Sequence, residues 1–241
     1  MANLTSLSLK IPYGNGCTLD LRALSGLPNL KTLELSGSDC YIKDVNFLSG
    51  LHNLTALIMP YDRGARVGID CMDISALSGL SALETLELSF RFSEETREQL
   101  EQQGREYDIS ALSGLTSLKE LKLNGYSSIY MDLNHLANLT NLVTLEVNEI
   151  STVYGDGLQV NHYGMDFSGL SGLKNLNKLV LDNVSINQVA SIPALENLST
   201  LEIQYNTGYW GHTLPLWFER HSICVLSAQS DKPGSQRRVC L

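Results

Sequence analysis

Apolar and polar positions along this chain follow a phrase that keeps returning. Leu4/Leu7/Leu9, Leu30/Leu33/Leu35, Leu54/Leu57/Met59 and Leu83/Leu86/Leu88 share the spacing LxxLxL. Leu118/Leu121/Leu123, Leu142/Leu145/Val147, Leu176/Leu179/Leu181 and Leu198/Leu201/Ile203 repeat it. The eight first anchors lie 26, 24, 29, 35, 24, 34 and 22 residues apart. Residues two apart face the same side of a strand, so each LxL predicts a short strand with both apolar side chains inward.

A second phrase precedes each copy from the second onward. It runs from Asp20 to Leu27, Asp44 to Leu51, Asp73 to Leu80, Asp108 to Leu115, Asp132 to Leu139 and Asp166 to Leu173, with a degenerate form from Gln188 to Leu195. Its apolar residues fall three apart, which predicts a short 3-10 or helical turn. The opening Asp is suited to accept from the free N–H groups of that turn. Gly26, Gly50, Gly79, Gly114 and Gly172 stand near its end, where a left-handed residue is expected, and Asn138 takes that place once. Ala194, after Pro193, breaks the pattern. No single unit can bury its own leucines, so the units must stack into one lengthwise core with a parallel strand ladder.

Joined, the unit reads D-Φ-x-x-L-x-x-L-x-x-L-x-x-L-x-L, with Φ apolar. Over residues 3 to 205 it resembles the leucine-rich repeat family, most closely the 22-residue type of internalin-like and phosphatase-regulator-like proteins. The resemblance implies an α/β solenoid of about eight repeats, with a curved parallel β-sheet and short 3-10 or helical turns on the convex side. It places the solenoid at 1–206 and a C-terminal cap with a frayed tail at 207–241. It also implies non-catalytic protein recognition, with a structural spacer in a larger surface or secreted protein as the alternative. Where the family carries Asn three residues beyond LxL, Asn206 fits, while Ser38, Arg91, Tyr126 and Val184 stand in other copies. A complete asparagine ladder is therefore not expected at that position.

Relative to the 22-residue unit, the six longer spacings carry 4, 2, 7, 13, 2 and 12 extra residues, all between LxL and the next Asp. The inserts should therefore crowd one edge, and inserts confined to one face often mark a binding face. Ser89–Tyr107 predicts a helix, with Ser93 as N-cap, Glu94 and Glu95 in its first turn and Gly104 at its end. Asn148–Met165 contains a Gly155-Asp156-Gly157 turn, and Pro60–Met72 is the third long insert. All ten tyrosines lie outside the LxxLxL strands, and loop tyrosines suit recognition surfaces as well as coverage of core ends. Tyr61, Phe92, Tyr130, Tyr154 and Tyr163 are the expected contact residues.

The outward strand positions form columns. One runs Ser8, Glu34, Ile58, Glu87, Lys122, Glu146, Val180, Glu202, and its neighbour runs Ser6, Thr32, Ala56, Thr85, Glu120, Thr144, Lys178, Thr200. Glu34, Glu87 and Glu146 could line an acidic groove for a basic partner segment. Alternatively, Glu87-Lys122-Glu146 form a cross-strand charge ladder on a solvated face, worth only about 0.2–1 kcal/mol per pair.

Composition narrows the function. With 17 Lys and Arg against 26 Asp and Glu, the formal charge is −9, which disfavours nucleic acid or an anionic membrane as partner. No window approaches the ~18 apolar residues of a membrane span, and no signal-peptide pattern opens the chain. The chain is expected to be cytoplasmic if full length, and its compartment is otherwise open. No HExxH, GxSxG or P-loop motif occurs, and His52, His135, His162, His212 and His221 fall at unrelated repeat phases. No catalytic site, metal or cofactor is expected, and the partner is expected to be a protein. Five cysteines in no zinc-like spacing do not indicate a disulfide framework. Cys17, Cys40 and Cys71 read as small buried thiols along one edge. Asn3, Asn53, Asn138, Asn183 and Asn197 satisfy N-x-S/T, but all except Asn183 do so through the repeat's own N-L-T/S phrase, and the triplets read as repeat grammar rather than as glycosylation sites. Residues 1–3 are too few to cap the first repeat, so a partner, a missing cap or a dimer is expected to cover that end. At the other end Trp210, Leu214, Leu216, Trp217 and Phe218 should fold over the last repeat, Ile223–Leu226 should add a strand, and Ser227–Leu241 should fray.

Overall fold

The alternation in each LxL becomes a strand of one long sheet. The computed structural model describes residues 3–11, 16–37, 40–60, 67–104, 106–125, 131–148, 167–182, 192–205, 223–228 and 236–240. Its strands are β1 (Ser6–Ile11), β2 (Cys17–Thr18), β3 (Thr32–Gly37), β4 (Cys40–Ile42), β5 (Ala56–Ile58), β6 (Val67–Ile69) and β7 (Thr85–Ser89). They continue as β8 (Glu120–Asn124), β9 (Thr144–Asn148), β10 (Lys178–Asp182), β11 (Thr200–Tyr205), β12 (Ile223–Ala228) and β13 (Gln236–Cys240). The order of the main sheet is β1-β3-β5-β7-β8-β9-β10-β11-β12-β13, and neighbours run parallel as far as β12.

The register keeps like against like. Leu7, Leu33, Leu57, Leu86, Leu121, Leu145, Leu179 and Leu201 are successive partners along the sheet. From Leu33 through Leu179 these side chains are completely buried. Each such leucine contributes roughly 1.5–3 kcal/mol by leaving water, and none could do so without the coils on either side.

Among the described residues, six 3-10 turns, beginning at Arg22, Asn46, Ser75, Ser110, Leu133 and Ser168, form the opposite wall. The Asp before each of the first five accepts from the backbone N–H two residues on: Asp20 at 3.2 Å, Asp44 and Asp73 at 2.8 Å, Asp108 at 2.7 Å and Asp132 at 2.9 Å. Ser25, Ser49, Ser78 and Ser113, each in a Leu-Ser-Gly triplet, close their turns by donating to the carbonyl three residues back, as in Ser49 to Asn46 and Ser113 to Ser110 at 2.7 Å.

The turn glycines work differently from the expectation. Among the described glycines only Gly16, Gly37 and Gly104 have positive φ, so Gly26, Gly50, Gly79, Gly114 and Gly172 are not left-handed. At Gly50 the need is close approach, because a Cβ there would lie 2.6 Å from the carbonyl oxygen of Ser25 in the preceding coil. Gly26, Gly79 and Gly114 face open space, and nothing in the structure requires glycine there.

Asparagine stitches the coils at another position than the family pattern implied. The Asn before the first Leu of LxxLxL donates its amide to a carbonyl of the coil before. Asn53 reaches Pro28 at 2.8 Å, Asn141 reaches Thr116 at 2.9 Å, Asn175 reaches Thr140 at 2.8 Å and Asn197 reaches Lys174 at 2.6 Å. In the N-x-S/T triplets at Asn53 and Asn197 the side-chain amide is thus engaged in a hydrogen bond to the preceding coil.

The inserts of the first coils carry a second parallel sheet, β2-β4-β6, which continues to the next coil through an isolated bridge between Ile69 and Phe90. In it Cys17 and Cys40 are directly paired with Cα atoms 4.6 Å apart and form a disulfide. This corrects the expectation of separate thiols: the stacking that aligns the edge also brings those sulfurs together. Cys71 is a free thiol, as expected. At the C-terminus the expected extra strand is β12, but the expected fraying from Ser227 onward does not hold throughout, because β13 pairs antiparallel with β12.

Candidate recognition surface

Strand alternation fixes which side chains face out. Both outward columns form in the order read from the sequence, for example Glu87, Lys122, Glu146, Val180 and Glu202 as successive register partners. The charges are arranged as a ladder of alternating sign. Lys122 Nζ lies 3.3 Å from Glu120 and 3.7 Å from Glu146, and Lys178 Nζ lies 3.8 Å from Glu146 and 3.6 Å from Glu202. Burial works against the Lys122 charge, but Glu146, Glu120 and Glu87 outweigh it and hold its pKa above the ordinary lysine value. Beside the ladder, Asn148 donates to Asn124 Oδ1 at 2.8 Å, and Asn124 donates to Glu87 Oε1 at 3.2 Å. Glu34 is half-buried between Ser8 and Ile58, its uncharged partners in register. The face is thus charged over β7–β11 and mostly uncharged over β1–β5.

The insert rim is built on an aromatic wedge. The helix expected after Ser93 forms as α1 (Glu94–Gln102), with Ser93 Oγ facing the Thr96 N–H at 3.5 Å and Gly104 left-handed beyond its end. Thr96 and Leu100, four apart and so on one helical face, are buried. Asp70, buried just after β6, accepts from the Ser93 N–H at 2.8 Å and its hydroxyl at 3.1 Å, which fixes where the helix starts. Lys43 Nζ lies 4.0 Å from Asp70 and 3.6 Å from Glu95.

Phe92, expected at the contact surface, is 2% exposed and packs on Phe90 and Tyr107, with ring centroids 6.1 and 5.4 Å away. This is a correction with a plain cause: the thirteen extra residues need an apolar floor of their own, and Phe90, Phe92 and Tyr107 supply it. Tyr107 donates to the Cys71 carbonyl at 2.8 Å. Tyr41, which sequence reasoning did not single out, is half-buried, with the Arg91 guanidinium 4.9 Å from its ring centroid. Tyr61, Tyr130, Tyr154 and Tyr163 lie outside the described residues.

Among the described residues, no three His, Cys, Asp or Glu side chains come together in a way that could hold a metal ion, and no helix is long and apolar enough to cross a membrane. Neither a family model nor a curated protein matches the sequence. Solved structures do match. The internalin C2 of Listeria monocytogenes aligns with a TM-score of 0.50 at 22% identity, over 83% of this chain and 71% of that one. The chain in a TLR13–ssRNA13 complex aligns with a TM-score of 0.57 at 22% identity, over 93% of this chain and 29% of that one. PEPR1–AtPEP1 aligns with a TM-score of 0.50 at 14% identity, over 92% and 31%. This chain thus spans less than a third of either of the last two. The stacked strands, the 3-10 wall and these likenesses agree: the chain folds as a leucine-rich-repeat solenoid.

Proposed function

We propose that the chain is a non-catalytic recognition module that holds a protein partner across its strand face and insert rim. The observation that carries this reading is the half-buried polar face, in which eight strands in one register hold Glu34, Glu87, Glu146 and the two lysines at fixed spacing. A rigid array of this kind selects partners by complementary charge while losing little conformational freedom on binding. The likeness to a chain solved within a complex supports a recognition role by analogy of fold alone. TLR13 was solved with single-stranded RNA, but a net charge of −9 argues against a phosphate backbone as the ligand here. In this reading Tyr61, Tyr130, Tyr154 and Tyr163 contact the partner from the rim, and Phe92 supports that rim from beneath.

One observation favours the alternative, a structural spacer. Lys122 and Lys178 are already paired within the ladder, as on a face that only meets water. Affinity capture separates the two. The intact chain is compared with Tyr130→Ala/Tyr154→Ala and with Glu34→Gln/Glu87→Gln, each checked by circular dichroism for an unchanged melting profile. Recognition predicts one protein captured by the intact chain and lost from both variants. Capture that is identical in all three supports the spacer and overturns the proposal.

A further inference from the structure

The first described coil is less buried than the coils that follow it. Leu4, Leu7, Leu9, Ile11, Leu19 and Leu24 are partly exposed, whereas Leu33, Leu35, Leu48, Leu54 and Leu57 of the next coils are fully buried. A coil whose leucines stay partly exposed gains less from apolar burial than a fully buried one, and it opens more readily. Backbone pairing keeps it in place, with six residues of β1 against β3 but only two of β2 against β4. The Cys17–Cys40 bridge, which joins residues 23 apart, lies at that shorter seam. Its two ends differ. Cys17 is half-exposed, and Cys40 is completely buried beneath it.

We propose that this bridge is a redox-operated latch on the first described coil. Oxidised, it holds β1 and β2 against the second coil. Reduced by a dithiol, it lets β1 and β2 come away and uncovers the edge of β3 with Leu33 and Leu35. The exposed end sets the course of the exchange. A thiolate of the dithiol attacks Cys17 Sγ, the sulfur–sulfur bond breaks, and Cys40 leaves as a thiolate that takes up a proton. The second thiol of the reductant then attacks the mixed disulfide on Cys17, frees that thiol and closes as its own disulfide. Two electrons and two protons pass from the dithiol to the bridge. The coils of β5, β7, β8 and β9 need no such latch, because strands of the main sheet flank them on both sides.

Hydrogen exchange on the intact chain tests this, with the air-oxidised protein compared with the dithiothreitol-treated protein and with Cys17→Ser, which changes only the half-exposed end. Releasing a loop of this length should speed exchange of the β1 amides by roughly a hundredfold, with β7, β8 and β9 unchanged and protection restored on reoxidation. The proposal is overturned if β1 exchange rises less than about tenfold, or if protection falls together in all strands. It is also overturned if thiol titration of the air-oxidised chain in denaturant shows Cys17 and Cys40 both free.

Discussion

Removing the Asp70 carboxylate should detach α1 from the solenoid at a cost that can be worked out in advance. The Asp70 side chain is wholly shielded from solvent, and one of its oxygens takes both Ser93 hydrogen bonds, at 2.8 and 3.1 Å. A hydrogen bond to a charged acceptor is worth about 1.5–3 kcal/mol, and Asp70→Ala leaves the part-buried Ser93 N–H without that acceptor. Lys43 adds less than about 1 kcal/mol, since it is 45% exposed and lies nearer Glu95 than Asp70. The expected loss is therefore about 2–3 kcal/mol. Asp70→Asn keeps one acceptor oxygen but places an amide where Oδ2 has no hydrogen-bond partner, for a smaller loss of about 1–2 kcal/mol. Urea unfolding followed by circular dichroism measures both, and hydrogen exchange over residues 93–102 locates the damage. An Asp70→Ala protein within about 0.5 kcal/mol of wild type, or an Asn variant worse than the Ala variant, would refute the reasoning.

Four further outcomes follow from the same geometry. Phe92→Ala should cost about 3–5 kcal/mol in the same urea assay, because the ring is part of the floor beneath the insert. Burial, more than the nearby acidic groups, holds the Tyr107 phenol well above its ordinary value of 10.0; its contribution is intact below that pH and is lost as pH rises further, so alkaline thermal melts should fall away and Tyr107→Phe should flatten the decline. Burial also pushes the Cys71 thiol up to about 12, so mass spectrometry should find iodoacetamide labelling at pH 8 far slower in the native chain than in urea. Hydrogen bonds from Ser75 to Asp73 and from Ser110 to Asp108 hold both carboxyls below 3.8; their stabilisation is present above that pH and lost as pH falls through the lowered values, so Asp108→Asn should make acid unfolding shallower.

How much of this was legible depends on how many residues report each feature. The eight main strands and both outward columns could be read because every LxL repeats the same alternation, and the error of one copy is corrected by the others. The helix was legible from Ser93 and Gly104, which signal locally. The second sheet was not, since Cys17–Thr18 and Val67–Ile69 are too short to show a period, although Cys-Tyr-Ile and Val-Gly-Ile shortly before an Asp carried a faint signal. The disulfide followed from that sheet and was missed with it. Phe92 was misplaced because its loop position resembles a contact residue, while its burial depends on Phe90 and Tyr107 arriving from either side. The glycines were assigned a conformation when, at Gly50, the cause is a neighbouring coil that one repeat read alone does not contain.

The shared register has a consequence for how such a molecule can change. Leu86 meets Leu121 across the widest spacing, 35 residues, just as Leu179 meets Leu201 across 22. Chain length added at the rim is absorbed there and does not propagate into the interior. Foreign loops could accordingly be grafted between a strand and the following aspartate, exchanged like cassettes, while the leucines behind them keep their neighbours.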